Sequence, residues 1–144
     1  MQIPAISLWQ PWAQLIAIKR KLYETRSWPT RIRGTVAIHA AKTWTSDLRY
    51  DAENFEEDLG LERGALTGCP RGAVVCVADL TSCVLMDEEL VRSVGCQERM
   101  VGGWGPGRYA WKLENVRRLR EPLPAKGRQG FFTVDVPSHL LLVA

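Results

Sequence analysis

Three ionisable residues that could act together, Lys21, Glu24 and Arg26, lie within six positions of one another. In an extended strand Glu24 and Arg26 point to the same face, and Lys21 joins them only from a turn before that strand. Glu24 favours the charged form of Lys21, whereas Arg26 and burial favour the free amine that a base or nucleophile requires. The alternative is a structural Lys–Glu–Arg ion network that ties a helix to a sheet.

Tryptophan is the second informative residue type, because the chain holds six of them and nucleic-acid bases stack on aromatic rings. Trp12 and Trp111 are interpreted as packing residues, since one lies on a helical stripe and the other in an alternating strand. Trp104 stands between glycines with nothing nearby in sequence to bury it. A base-stacking lid and a plain loop position are both open for it.

Two further segments offer polar groups, each with two interpretations. His39 ends an apolar strand without a visible carboxylate partner, which favours a hydrogen-bonded structural histidine over a general acid or base. Lys126, Arg128 and Gln129 form a loop of donors that could bind phosphate and a base edge, or could equally be solvated surface.

The sequence predicts neither a metal site nor a cofactor. The four cysteines form no C-x-x-C pair and lie far from both histidines, so we expect free thiols and no zinc. The acids of residues 47–62 lie on a predicted amphipathic helix and face solvent, which disfavours a magnesium cluster. Neither a phosphate-binding glycine loop followed by Lys-Ser/Thr nor a serine nucleophile elbow is present.

The net charge of +3 hides an uneven distribution. Residues 47–62 carry seven acids and one base, a charge of −6, and the rest of the chain carries 18 bases and 9 acids, a charge of +9. A basic surface beside an acidic flank predicts a polyanionic partner. Solvated charge on unrelated faces is the alternative.

The elements that would position these residues are six or so short strands. They are expected near residues 3–9, 22–28, 35–39, 73–86, 109–119 and 131–136, with helices after Pro11, between Trp44 and Leu59, and over 87–94. Glycine-rich segments at 60–72 and 102–107, and the segment 121–130, are expected to be loops. This pattern predicts an α+β fold: a small mixed β-barrel with two or three short helices packed outside.

Length and hydropathy place the chain among soluble proteins. Its 144 residues suit one domain spanning 1–144, without a linker-like stretch. The longest apolar run, residues 140–144, is too short to span a membrane, and no signal sequence is visible at the N-terminus. A cytoplasmic location is expected, and residues 140–143 are the only candidate for an exposed apolar patch.

Six motifs together resemble the ASCH family, including its bacterial single-domain members. They are Ser7-Leu8-Trp9-Gln10-Pro11-Trp12-Ala13, Lys21-x-x-Glu24-x-Arg26-x-Trp28 with Arg33-Gly34, Ile38-His39-Ala40-Ala41, Pro70-Arg71-Gly72-Ala73, Pro106-Gly107-Arg108-Tyr109-Ala110-Trp111, and Lys126-Gly127-Arg128-Gln129-Gly130. The resemblance implies a PUA-like barrel with a cleft beside the lysine signature. In that signature Lys19 replaces a leading glycine, so a lysine would have to end the first helix.

The resemblance also implies the candidate site. The catalytic candidates are Lys21, Glu24 and Arg26, with Lys21 in the turn that the signature requires. The nucleic-acid-binding candidates are Trp9, Gln10, Trp28, Arg33, Trp104, Arg108, Tyr109, Lys126, Arg128 and Gln129. The expected partner is RNA, a nucleotide or a modified nucleoside.

Two functions follow from this resemblance. One is a hydrolase of the acylated-cytidine amidohydrolase or ribonuclease type, in which Lys21 and Glu24 share proton transfer while Arg26 orients a phosphate or carbonyl oxygen. The other is a non-catalytic RNA-binding module that uses the same cleft.

Overall fold

A six-stranded mixed sheet organises residues 1–142, the part of the chain that the computed structural model describes. Its strands are β1 (Gln2–Leu8), β2 (Tyr23–Arg26), β3 (Gly34–Ala40), β4 (Ala73–Leu85), β5 (Tyr109–Pro124) and β6 (Phe131–Asp135). The order across the sheet is β2-β5-β4-β3-β1-β6. Only β1 and β3 are parallel; the other neighbours are antiparallel. The predicted α+β class and mixed sheet are confirmed.

Four α-helices accompany the sheet among the described residues, more than the predicted two or three. They are α1 (Trp12–Ala17), α2 (Ser46–Asp58), α3 (Glu88–Ser93) and α4 (Cys96–Val101). The sequence pattern missed α4 because a helix of six residues that buries only Glu98 and Val101 carries no apolar stripe. Within residues 1–142, no helix has the length and apolar composition needed to cross a membrane.

The sheet curls, but its edge strands β2 and β6 are not hydrogen-bonded to each other, so it is open rather than a closed barrel. Side chains fill the gap instead. The Trp111 ring of β5 stacks on Phe131 of β6, with centroids 5.7 Å apart and planes 7° apart. Trp28 meets Trp111 edge-on at 4.8 Å. These rings join the main hydrophobic core between the sheet and α1.

Strand β5 is longer than predicted: it ends at Pro124 and so takes up residues 121–124 of the expected loop of residues 121–130. The prolines are tolerated because β2 pairs only with Tyr109–Lys112, which leaves one side of the later part of β5 without a long strand partner. On that side Leu119 forms a bridge with Leu141. Of the predicted apolar patch, Leu140 is buried against the sheet whereas Leu142 is exposed; residues 143–144 lie outside the described residues.

Helix α1 ends as the sequence suggested, with a lysine in a left-handed conformation. Lys19 has a φ of 63°, and its N–H donates to the carbonyl of Ile16 at 3.0 Å. The chain then turns so that the N–H groups of Arg20 and Lys21 both donate to the carbonyl of Leu15. This turn leads directly into β2.

Helix α2 confirms the amphipathic prediction except at one acid. Thr45 caps its N-terminus by accepting a hydrogen bond from the N–H of Leu48, and Leu48 and Ala52 are buried. Glu56, expected to face solvent, is buried too. Its carboxylate accepts hydrogen bonds from the loop that follows the helix, a partner that helical periodicity does not reveal.

Candidate functional site: the Lys21 cleft and the basic cavity

The turn between α1 and β2 places Lys21 beside the strand that carries Glu24 and Arg26, as the sequence required. The Lys21 Nζ atom lies 3.8 Å from Glu24 Oε1. Glu24 Oε2 accepts hydrogen bonds from both Nε and Nη2 of Arg26, at 3.2 and 3.0 Å. Glu24 therefore stands between the two cations and is held in place by the Arg26 fork.

Burial dominates the electrostatics of Lys21, whose side chain is only 2% exposed. Burial lowers the pKa of Lys21 from its ordinary value of 10.5, although Glu24 and Glu98 oppose the shift. Arg26 and Arg108 lower it further. The surroundings thus favour the free amine, which is the form that can accept a proton or attack a carbonyl.

Glu98, on α4, is the participant that sequence reasoning missed. One carboxylate oxygen accepts a hydrogen bond from the N–H of Leu22, and Oε2 is buried without a hydrogen-bond partner among residues 1–142. Burial raises the pKa of Glu98, although the N–H of Leu22 and the charge of Lys21 lower it in part. Only the folded chain brings α4 against the turn before β2, so no local motif signals this residue.

Lys21, Glu24 and Arg26 face a cleft of about 640 Å³, which we call the Lys21 cleft; Glu98 does not line it. Its lining residues come from β1, α1, β2, α2 and α4, and from the loops that follow β1, α1 and α4. They are Ser7, Leu8, Trp9, Trp12, Lys21, Glu24, Thr25, Arg26, Asp51, Phe55, Met100, Val101, Gly102 and Gly103. Trp12, predicted to be a packing residue, packs edge-on against Phe55 at 6.3 Å and also forms part of this wall.

A second and larger hollow of about 1350 Å³ lies next to the first, and we call it the basic cavity. Ser7, Trp9 and Arg26 line both hollows. The remaining lining residues of the basic cavity are Ile6, Trp28, His39, Ala41, Lys42, Thr43, Gly72, Pro124, Ala125, Lys126, Gly127, Arg128, Gln129 and Gly130. It contains cations and tryptophans but no carboxylate.

His39 forms the floor of the basic cavity and has the hydrogen-bonded surroundings of a structural histidine. Its Nε2 lies 2.7 Å from the carbonyl of Ala125, so it must donate there. In the neutral ring Nδ1 then accepts from the Ser7 hydroxyl at 2.9 Å. Gly127 passes directly over this pair: a Cβ there would lie 2.8 Å from His39 Cε1 and 3.0 Å from Ser7 Oγ.

Five of the predicted nucleic-acid-binding residues line these hollows: Trp9, Trp28, Lys126, Arg128 and Gln129. The other five, which line neither, are Gln10, Arg33, Trp104, Arg108 and Tyr109.

Gln10 and Arg33 have local structural contacts. Gln10 is fully buried, donates to the carbonyl of Pro70 and accepts from the N–H of Gln14. Arg33 donates to the carbonyls of Thr30 and Ile32 beside it.

Trp104, Arg108 and Tyr109 fix the loop behind β2. Trp104 is half-buried and meets Tyr23 edge-on at 5.2 Å, so the expectation that nothing could bury it is wrong. Arg108 donates to the carbonyls of Gly103 and Thr25, while Tyr109 pairs with Arg26 across the strands.

Metal chemistry has no obvious donor set here. Among residues 1–142 there is no group of three or more histidine, cysteine, aspartate or glutamate side chains arranged to hold an ion. Cys69, Cys76, Cys83 and Cys96 are all free, as predicted, and burial raises the pKa of Cys76 to about 12.

Comparison with known proteins agrees with this architecture. The crystal structure of ASCH from Zymomonas mobilis superposes with a TM-score of 0.56 at 17% identity, covering 92% of this chain and 87% of that one. A mutant form of that protein gives 0.56 at 15% identity, with 92% and 89% covered, and another gives 0.52 at 16%, with 92% and 87% covered. The ASCH domain family model matches residues 6–123. This chain therefore belongs to the ASCH domain family.

Proposed function

We propose that this protein is an RNA- or nucleotide-directed hydrolase whose reaction takes place in the Lys21 cleft. The observation that carries the proposal is the placement of Lys21: nearly fully buried, with a lowered pKa, and beside a carboxylate that Arg26 holds. A lysine in such surroundings is suited to proton transfer, since burial increases the fraction of free amine near neutral pH.

Each of the three residues has a distinct role in the proposal. The amine of Lys21 accepts the proton of the attacking water or ribose hydroxyl as the new bond to carbon or phosphorus forms. Glu24, 3.8 Å away, shares that proton, and the pair returns it to the amine or alkoxide that leaves as the old bond breaks. Arg26 is engaged through Nε and Nη2, whereas Nη1 makes no hydrogen bond to residues 1–142. That nitrogen is free to orient the carbonyl oxygen of an acylated base or a phosphate oxygen.

Nucleic-acid chemistry is supported by the neighbourhood of the cleft and by the family, which is generally associated with nucleic acids. Trp9 is 55% exposed at the boundary of the two hollows, where a base can stack on it. The adjoining cavity provides Lys42, Lys126 and Arg128 for phosphates.

Substitution of Lys21 tests the proposal. The pure protein is incubated with a panel of single-stranded RNAs and acylated nucleosides, and products are detected by mass. Lys21→Arg should abolish turnover, because a guanidinium does not lose its proton near neutral pH. The matched control is Lys112→Arg, because the Lys112 side chain is 45% exposed and lies outside both hollows. Full turnover by a folded Lys21→Arg variant contradicts the proposal.

A non-catalytic RNA-binding module is the second candidate, and one observation favours it. Lys21, Glu24 and Arg26 form a continuous ion network, which is also what a purely structural tie between α1 and β2 would look like. In that case Lys21→Arg binds RNA almost normally and no substrate of the panel is converted. Arg26→Ala weakens binding most, because it removes the cation that lines both hollows and whose Nη1 is free to bind an anion.

A further inference from the structure

Ser7 and His39 form a hydrogen-bonded pair that has no part in the reaction proposed for Lys21. Strands β1 and β3 run parallel with Ser7 in register with His39, so the two side chains lie next to each other on one face of the sheet. The Ser7 Oγ atom lies 2.9 Å from His39 Nδ1. Strand register thus brings a nucleophile to a base, although no local sequence motif marks the serine.

The ring of His39 is held in the tautomer that a general base requires. Its Nε2 lies 2.7 Å from the carbonyl oxygen of Ala125, and because a carbonyl oxygen only accepts, Nε2 carries the proton. Nδ1 of the neutral ring then has a free electron pair, to which the Ser7 hydroxyl donates. Nucleophile, base and orienting group therefore stand in the order that activates a serine.

The hydroxyl of Ser7 has open space next to it. Ser7 is half-buried and lines both the Lys21 cleft and the basic cavity, whereas His39 behind it is 1% exposed. Gly127 crosses above the pair, and a Cβ there would lie 3.0 Å from Ser7 Oγ. Gly127 is not among the glycines with a positive φ, so its backbone does not require glycine. The missing side chain instead leaves the hydroxyl uncovered.

A cation stands beside Ser7, where negative charge develops during acyl transfer. Nη2 of Arg26 donates to the carbonyl of Ser7 at 3.3 Å, and Nη1 makes no hydrogen bond to residues 1–142. A guanidinium N–H in this place is suited to stabilise the oxyanion of a tetrahedral intermediate. The pair thus has the third component of a serine hydrolase site.

The charge of the basic cavity indicates which esters bind beside Ser7. Lys42, Lys126 and Arg128 line this cavity, and none of its lining residues is a carboxylate. Its volume of about 1350 Å³ exceeds the range of about 300–1,000 Å³ for pockets that enclose drug-sized ligands. A small ester does not fill the cavity, so charge selects it more than shape does.

We propose that Ser7 and His39 are the nucleophile and general base of a second activity, the hydrolysis of small carboxylic esters that carry a negative charge. As Ser7 Oγ bonds to the acyl carbon, Nδ1 of His39 takes the hydroxyl proton and Arg26 faces the oxyanion. The bond to the alcohol oxygen then breaks, and the alcohol leaves with the proton from Nδ1. Water next attacks the acyl carbon and gives a proton to Nδ1, which returns it to Oγ as the carboxylic acid leaves.

A pair of chromogenic esters tests the activity and its substrate class. The pure protein is incubated with 4-nitrophenyl hemisuccinate or with 4-nitrophenyl butyrate, whose acyl chain has the same length without the charge. We expect kcat/KM to be at least about tenfold higher for the hemisuccinate, since a charged hydrogen bond contributes roughly that factor. The orienting group of His39 is a neutral carbonyl, so we expect slow turnover and an acyl-enzyme that an acid quench traps. Peptide mass mapping should locate the succinyl group on Ser7.

Substitutions identify the two reacting side chains. Ser7→Ala and His39→Gln should each lower kcat/KM for the hemisuccinate by at least about 10²-fold. Ser82→Ala is the matched control, because Ser82 is a half-buried serine on β4 outside both hollows, and it should react like wild type. Ser7→Cys retains a nucleophile and should carry the succinyl group as a thioester, which keeps the test valid if Ser7→Ala fails to fold.

The mapping on wild type decides the assignment of Ser7 without any variant. A succinyl group on Lys21 or on surface lysines with Ser7 unmodified would overturn it, and so would the absence of any acylation. Equal kcat/KM of wild type and a folded Ser7→Ala variant would overturn it too.

A charge-matched pair of double variants tests the substrate class separately. Lys126→Ala/Arg128→Ala should remove most of the preference for the hemisuccinate over the butyrate. Arg92→Ala/Lys112→Ala removes the same charge outside both hollows and should retain the preference. If both double variants retain it, the basic cavity does not select the ester and the proposed substrate class is wrong.

Discussion

The amine of Lys21 is surrounded by two carboxylates and two guanidinium groups, and its pKa reflects their balance with burial. Glu98 raises this pKa, so replacing Glu98 with a neutral glutamine should lower it. If the free amine is the reactive form, the rising limb of the kcat/KM profile should lie below pH 10.5 and move further down in Glu98→Gln.

A pH–rate series on wild type, Glu98→Gln and Glu89→Gln measures this shift. Glu89 is exposed on α3 and serves as the control that removes the same charge from solvent. Movement of the limb to higher pH in Glu98→Gln would show that Glu98 does not act on Lys21 in this way. Unfolding curves at each pH separate the effect from loss of structure.

Lys19 gives a second prediction at the residue scale, for stability. A left-handed conformation costs a non-glycine residue roughly 1–2 kcal/mol, and glycine gives back about 0.4–1 kcal/mol through the flexibility of the unfolded chain. Lys19→Gly should therefore raise the free energy of unfolding by about 0–1.6 kcal/mol. Lys19→Ala loses the charge but keeps the Cβ atom, so it should not raise the free energy of unfolding. Equal gains in unfolding free energy for the two variants in urea titrations would contradict backbone strain at Lys19.

At the scale of elements, Glu56 joins α2 to the loop that follows it. Its Oε2 accepts from the N–H groups of Gly64, Leu66 and Thr67, at 3.1, 2.8 and 2.8 Å, and from the Thr67 hydroxyl. Burial alone would raise the pKa of Glu56, but these hydrogen bonds outweigh it and lower the pKa below 4.5. The loop of residues 60–72 is thus irregular but anchored.

Glu56→Gln should cost about 1–3 kcal/mol of unfolding free energy at pH 7, since all four hydrogen bonds converge on one oxygen and a neutral amide oxygen accepts them more weakly than a carboxylate. Because the folded pKa is depressed, the stabilisation is complete above pH 4.5 and is lost as the pH falls through the folded value. The difference in unfolding free energy between wild type and Glu56→Gln should narrow in urea titrations as the pH is lowered below 4.5. A difference in unfolding free energy that does not change with pH would contradict this account. So would an equally large loss of stability in the exposed control Glu57→Gln.

On the scale of the whole molecule, sequence patterns located most of the framework. The strands near residues 3–9, 35–39, 73–86 and 131–136 were predicted within a few residues, because alternating or continuous apolar runs reflect burial directly. Strand β5 was cut short because its prolines indicated a loop, although an unpaired strand side accepts them. Periodicity thus identifies strands better than it finds their ends.

The candidate site was only partly predictable. The two-residue strand period places Glu24 and Arg26 together, but the turn that brings Lys21 beside them was implied only by the resemblance to the family signature. Glu98 reaches Lys21 from a distant helix, and the half-buried Trp104 packs against Tyr23. Such contacts depend on tertiary packing, which neither composition nor local periodicity contains.

The open seam between the sheet edges affects how substrate reaches a lysine that is almost fully buried. Strand β2 pairs only with β5, through the register Tyr23–Arg26, whereas β3 is paired on both sides. Local opening of β2 therefore breaks the short β2–β5 hydrogen-bond ladder and leaves the rest of the sheet intact. In hydrogen–deuterium exchange the amides of Tyr23–Arg26 should exchange well before those of Val36–Ile38. Equal protection of the two strands would mean that Lys21 is reached only through the static cleft, whereas early exchange of β2 would show that local opening exposes Lys21.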